Sequence, residues 1–445
     1  MNETRLNAVL ADLNQDQQGG VDHIVAGWQA ANGGVRLTIV DGPPGTGKTH
    51  VAAATAGHWV RTHRTQVVIL TPTHRAAERA RRTLMDVGFE LHEVFRLAPG
   101  PIEEPEPGIL TFERLESLPP HLLRQLRQAR VLVTTWHGSH RAFGSPECRI
   151  ISSGSLLLLD EVSQIPFSAF LALLRRVYRA LGRGGMGGVA LLGDPHQLPV
   201  VTTQDTLATN AALGVLRRHP ECTPHRLVSQ YRMNTPICDV VNVVRRVAFG
   251  GTPLQPANDA IASRTLDQIA GQYCPGTTPF YDILDPATPV ILVDTTRFAA
   301  ERGWREIPIR GSWAFEPEAR LAFKLAEAVR QAYEIDAVVL SPYKAQATAI
   351  HTCGVSNALT IYRDQGHEWD CVILSLGRTA IQGRTILDEV YQHMYVGLSR
   401  PRAKLIVLLH ANLFRQFRLF GALINTARTI QGVRLIEADP SWGEP

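Results

Sequence analysis

The sequence predicts an α/β protein of two tandem domains, each built on a parallel β-sheet. Three observations predict it. The first is a set of short apolar runs in the first half of the chain, "VRLTIV" (35–40), "TQVVIL" (65–70), "ARVLVTT" (129–135), "GSLLLLD" (154–160) and "GVALLGD" (188–194), separated by stretches with helical patterning. Strands that are apolar along their whole length are buried on both faces, which is the condition of a parallel sheet covered by helices. The second is the restart of that rhythm in "TPVILVD" (288–294), "IDAVVLS" (335–341), "NALTIY" (357–362), "DCVILSL" (370–376) and "AKLIVLL" (403–409). The third is length: 445 residues leave room for about two to three domains. Turn residues in "HPECTPHRLVSQ" (219–230) interrupt the pattern, so the expected domains are 1–226 and 227–445.

Composition narrows the class. Hydrophobic residues make up 44% and charged residues 19%, ordinary for a globular protein, and no apolar run approaches the roughly 20 residues of a membrane span. The polar N-terminus has no apolar signal core. Cys148, Cys222, Cys238, Cys274, Cys353 and Cys371 are scattered singly without a CxxC pair, which fits a reducing compartment and leads us to expect a cytoplasmic protein. The net charge of +4 only weakly suggests a polyanionic partner. Only Lys48, Lys324, Lys344 and Lys404 are lysines among 45 basic residues, so a lysine inside a motif stands out. The Pro/Glu-rich stretch 98–108 and the Gly/Pro/Thr-rich stretch 250–287 read as surface excursions.

The chemistry starts after the first strand. Gly42-Pro43-Pro44-Gly45-Thr46-Gly47-Lys48-Thr49 fits the pattern GxxxxGK[ST]. Glycines let backbone N–H groups approach phosphate oxygens, Lys48 neutralises the outer phosphates, and Thr49 offers its hydroxyl to Mg²⁺ at a helix N-terminus. Asp160 and Glu161 follow "SLLLL", at the carboxyl edge of a strand, where parallel sheets place ligands. There Asp160 suits the metal, and Glu161 suits a base that orients and deprotonates water. Adjacent acids after a strand are often a solvated turn, and it is the phosphate loop that makes these two functional. Gln197, in "GDPHQLPV" (193–200), is within reach of a γ-phosphate.

Taken together, the segments resemble a superfamily 1 helicase of the 5′-to-3′ branch, which includes RecD-like and nonsense-decay-type enzymes. "LNQDQ" (13–17) resembles the Q motif, "TPTHRAA" (71–77) motif Ia, "DEVSQ" (160–164) motif II, "GDPHQLP" motif III, "SQYRMNTPI" (229–237) motif IV, "TIYRDQGHEWD" (360–370) motif V and "YVGLSR" (395–400) motif VI. The resemblance implies two RecA-like P-loop NTPase domains that hydrolyse ATP with Mg²⁺ in the cleft between them. It implies that Gln17 reads adenine, that Tyr231 stacks on the base, and that Gly45, Thr46, Gly47, Lys48 and Thr49 cradle the phosphates. It implies that Gln197 and Arg232 contact the γ-phosphate, that Gly366 and Glu368 touch the nucleotide, and that Arg400 is the arginine finger. Nucleic-acid contacts map onto Thr71, Pro72, Thr73, Thr135, Pro342 and Thr360, small residues suited to phosphates rather than bases.

The implied partner is single-stranded DNA or RNA, with DNA favoured on the resemblance alone, together with proteins of a replication, repair or mobile-element complex and no membrane. Short flanks around the motifs lead us to expect a nearly bare motor. The chain also departs from the family. Arg363 and Asp364 precede Gln365 where no acid is usual, Gly397 and Ser399 stand where alanine and threonine are common, and Arg402 offers a second finger. Trp136 reads as cleft wall or core before base stack, and Trp369 as core. His137 and His140 form an HxxH that reads as polar loop. The alternative function is a nucleic-acid-dependent clamp or assembly factor that uses ATP to switch its grip. A small-molecule kinase would leave motifs IV to VI unexplained.

Overall fold

A computed structural model describes residues 1–29, 37–100, 107–143, 149–181, 185, 187–198, 210–220, 222–274, 276, 278–364, 366–380 and 390–445. Cys148, Gln365 and the end of the "GDPHQLPV" segment lie outside them. The chain divides into two compact units, one formed by the described residues of 1–195 and 210–228, the other by His196–Leu198 and Ser229–Pro445.

The first unit contains β1 (Leu37–Asp41), β2 (Val67–Thr71), β3 (Val94–Pro99), β4 (Ile109–Phe112), β5 (Val131–Thr135), β6 (Leu156–Leu159), β7 (Gly188–Gly193) and β8 (His225–Arg226). They form one parallel sheet in the order β4-β3-β5-β2-β6-β7-β1-β8. Side chains alternate across a strand, so β2 sends Val68 and Leu70 into one core and Val67 and Ile69 into the other. This two-sided burial is why the strands read as unbroken apolar runs. Helix Lys48–His63 follows β1, and its alanines 52, 53, 54 and 56 are buried, bringing the helix axis close to the sheet.

The second unit opens with the short parallel pair β9 (Ser229–Gln230) and β10 (Gln255–Pro256). Its large sheet holds β11 (Val290–Asp294), then, after the hairpin β12 (Ile307–Ile309) and β13 (Ser312–Ala314), β14 (Val338–Ser341), β15 (Ala358–Thr360), β16 (Trp369–Ser375), β17 (Pro401–Leu409) and β18 (Val433–Glu437). The order β15-β14-β16-β17-β11-β18 is parallel throughout. Val290 and Leu292 face one core, and Ile291 and Val293 the other. The protein is thus α/β with two tandem parallel-sheet units.

The stretch 250–287 differs from the surface excursion expected of it. Short helices at Asp259–Ala262, Leu266–Ala270 and Tyr281–Leu284 bury Ile261, Leu266, Phe280, Ile283 and Leu284. Single apolar anchors spaced among Gly and Pro lack a periodicity that a sequence reading can detect.

Candidate functional site

The phosphate loop leaves β1 and turns through Gly45 and Gly47, with φ of 78° and 80°, a left-handed conformation that glycine adopts without steric cost. A Cβ at Gly42 would lie 2.2 Å from Lys48 Cγ, so the lysine side chain folds back across the loop. Its Nζ donates to Gly42 O at 2.6 Å and stands 3.8 Å from Glu161 Oε1. Gln17 is buried, and its Nε2 donates to Thr46 O at 3.2 Å, which places the Q-motif glutamine against the loop. Thr46 itself is fully buried and donates to Pro43 O at 2.8 Å.

Opposite the loop, Thr49 Oγ1 donates to Asp160 Oδ2 at 2.9 Å, while Asp160 Oδ1 accepts the Glu161 N–H at 2.9 Å. A hydroxyl and a carboxylate side by side are hard oxygen donors of the kind that suit Mg²⁺. Burial, reinforced by the charge of Glu161 and opposed by Lys48, pushes the Asp160 carboxyl above its ordinary range, and a cation there would reverse that cost. Glu161 has φ of 54°, unfavourable for a residue with a side chain, and its Oε2 is buried without a hydrogen-bond partner. The loop thus holds, beside Lys48, a carboxylate with one oxygen free of hydrogen bonds.

Asp41, at the end of β1, escaped the sequence reading. Burial raises its carboxyl to about 6 against the pull of Arg217, with the neighbouring Asp194 adding to the rise. Its Oδ2 pairs with Arg217 at 2.8 Å. The signal was two acids, in "IVD" and "LGD", ending strands that prove to be adjacent.

In the second unit, motif IV is a turn stapled by Gln230, whose Oε1 accepts the N–H groups of Arg232 and Met233 at 2.8 and 2.7 Å. Arg232 donates from Nη1 to Ser399 O at 2.8 Å and from Nη2 to Glu368 at 2.7 Å. Arg400 is buried, donating to Val396 O and His367 O, each at 3.0 Å. Arg402 is the exposed arginine of the group and reaches Glu368 and Asp370 at 3.3 and 3.4 Å. The structure therefore brings Arg232, Glu368 and the motif VI arginines together within this unit. Tyr231 is half-buried, Gly366 has φ of 92°, and Gln197 is buried in the segment His196–Leu198 of the same unit.

The family departures have local causes. Asp364 is buried and accepts the Trp369 indole N–H at 2.9 Å, so the unusual acid anchors the tryptophan. A Cβ at Gly397 would sit 3.2 Å from Ile361 and 3.4 Å from Leu374, so these side chains occupy the space that alanine would need. The Trp136 ring lies tilted against that of His137, at an interplanar angle of 33°, and packs against the first unit's core.

The residues expected to contact nucleic acid divide by exposure. The Thr71 and Thr135 side chains are buried, the first donating to Thr73 O at 3.1 Å and the second accepting the Gly138 N–H at 2.9 Å. Thr73 is exposed and caps helix His74–Val87 through the Ala76 N–H. Pro342 and Thr360 line one groove of about 700 Å³ together with Lys344, His351, Tyr362 and Arg363, and no carboxylate is among its lining residues. Tyr362, 45% exposed, and Lys344 line the same groove and were not singled out by motif matching.

A phosphate loop on a parallel sheet, an Asp-Glu pair after a strand two places away in that sheet and a second parallel-sheet unit with clustered arginines define a P-loop nucleotide hydrolase with two α/β units. Two family models, each described as an AAA domain, match in tandem, over residues 29–203 and 211–412. With the ordered motifs, these matches place the chain among the superfamily 1 helicases.

The DNA polymerase alpha-associated DNA helicase A of Saccharomyces cerevisiae is 26% identical over 306 residues, 63% of this chain and 42% of that protein. The ATP-dependent helicase NAM7 of the same organism is 28% identical over 81 residues, 18% of this chain and 8% of that one. The matched region thus spans less than half of either relative. The crystal structure of arterivirus nonstructural protein 10 (helicase) aligns with a TM-score of 0.46 at 15% identity, covering 92% of this chain and 64% of that one. Among the described residues no helix is long and apolar enough to cross a membrane.

Proposed function

We propose that the chain is an ATP-driven motor that moves 5′ to 3′ along single-stranded nucleic acid, DNA in preference to RNA. The observation that carries this reading is the Lys48, Thr49, Asp160 and Glu161 constellation at the phosphate loop, where the strained Glu161 keeps one carboxylate oxygen free of hydrogen bonds. Lys48 and the loop N–H groups hold the phosphates, and Glu161 takes the proton of the attacking water. Mg²⁺, held by Thr49 and Asp160, would neutralise charge on the phosphate oxygens. Arg232 and Arg400, with Arg402 beside them, supply further positive charge to the transferred phosphoryl group. The cation-lined groove at Pro342 and Thr360 supports strand binding through phosphates.

The test is displacement of one strand from duplexes bearing either a 5′ or a 3′ single-stranded tail. The expected outcome is ATP-dependent displacement from the 5′-tailed duplex only, with Lys48→Ala lowering ATP turnover by about a hundredfold or more while strand binding persists. Displacement only from the 3′ tail would overturn the direction. Turnover that survives Lys48→Ala would overturn the site.

A further inference from the structure

At one lateral edge of the second unit's sheet, β18 pairs on one side with β11 and, among the described residues, with no strand on the other. Gly432 O accepts the Val290 N–H at 3.1 Å, and the Ala438 N–H donates to Asp294 O at 2.9 Å. Backbone groups alternate sides along a strand, so the even-numbered residues face β11 while Leu435 and Glu437 turn their N–H and C=O outward. Helix Arg418–Thr429 runs alongside, and the two elements border a groove of about 450 Å³ lined by Arg415, Ile424, Asn425, Arg428, Arg434 and Leu435. The three arginines are exposed, and none makes an ion pair among the described residues. Glu437, the single acid of the strand, does not line the groove.

We propose that this groove docks an extended acidic peptide segment of a partner protein, added as a further strand along β18. An open edge supplies the main-chain hydrogen bonds of strand addition. Arg415, Arg428 and Arg434 meet the carboxylates that project from such a strand, and Ile424 and Leu435 offer an apolar floor to its alternate side chains. Nucleic acid fits less well, because no aromatic and no hydroxyl side chain lines the groove. The groove at Pro342 and Thr360 borders β14 and β15, at the opposite edge of this six-stranded sheet. Five strand spacings put the two edges about 24 Å apart, so the arginine groove is a separate surface.

The test is fluorescence anisotropy of the full chain with a labelled peptide alternating aspartate and leucine. The controls are the same peptide with lysine for aspartate, the same peptide N-methylated at alternate residues, and a blunt DNA duplex. The expected result is saturable binding of the acidic peptide, weakened about tenfold or more by combining Arg428→Glu with Arg434→Glu. Binding should also be lost on N-methylation, and ATP turnover should be unchanged in the double variant. Absence of saturation, or equal affinity for wild type and double variant, would overturn the proposal. An N-methylated peptide that binds as well as its parent would remove strand addition. Duplex DNA whose affinity falls in the double variant, while the peptide does not bind, would reassign the groove to nucleic acid.

Discussion

Burial alone would raise the Glu368 carboxyl, but Arg232 and Arg402 outweigh it and hold the group at about 2. A folded-state value below the ordinary 4.5 means that the ion pairs contribute stability above pH 4.5, and that this contribution is lost as pH falls toward 2. Allowing for screening of a partly exposed carboxylate, the contribution is about 2 kcal/mol. Denaturant unfolding of Glu368→Gln should be less acid-sensitive across that window than wild type, and parallel curves would contradict the assignment. In the groove at Pro342 and Thr360, Tyr362 presents an exposed ring, and Lys344 lines the same groove. Tyr362→Ala should weaken single-strand affinity by about 1–3 kcal/mol if a base stacks there, and Lys344→Ala should reduce the salt slope of binding by about one phosphate contact. Titrations at several salt concentrations read both. Residues fixed by phosphate chemistry, such as Lys48, Thr49 and Asp160, were legible because few residue types can replace them. Asp41 with Arg217, and Tyr362 with Lys344, were not, because only folding brings them together.

Elements were legible where burial is two-sided. β2 and β6 are apolar along their whole length because both faces are covered, whereas β3 hides behind Arg96, a buried cation compensated by Glu78 at 3.0 Å. β18 alternates "VRLIE" as a half-exposed edge strand, so it lacks the unbroken run that marks the central strands. The hairpin β12–β13 turns through Arg310 and Gly311, with φ of 48° and 76°, the doubly positive geometry of a tight hairpin. One buried acid ties several elements of the second unit together. Glu318, on helix Glu316–Tyr333, accepts from Ser375 Oγ at 2.7 Å, from the Gly377 N–H at 2.8 Å and from Thr295 Oγ1 at 3.4 Å. Burial nevertheless raises its carboxyl to about 7. Because the folded state holds this proton more tightly than the unfolded chain, the stabilisation is full below pH 4.5 and is lost as pH rises through about 7. The apparent Tm of wild type should therefore decline relative to Glu318→Gln over that range, and a constant difference between the two would show that Glu318 keeps one charge state.

At the scale of the whole molecule, the first unit places Lys48, Asp160 and Glu161 after the carboxyl ends of β1 and β6, whereas the second unit places Pro342 and Thr360 at the carboxyl ends of β14 and β15, and Glu368 and Arg400 just before β16 and β17, at their amino ends. The gathering of ligand-binding loops at the carboxyl edge of a parallel sheet accounts for the first unit's motifs, and short motifs in a fixed order disclosed the class before any geometry was available. The identity of the track lay outside that reading, because discrimination rests on contacts to the 2′-OH and no motif residue is assigned to it. The central claim is that strand binding drives hydrolysis at Lys48 and Glu161. Steady-state ATP turnover without polymer, with single-stranded DNA and with single-stranded RNA, run beside Glu161→Gln, tests it most directly. The account predicts strong stimulation by single-stranded nucleic acid, greater with DNA, and its loss in the variant. Equal turnover under all three conditions would contradict it.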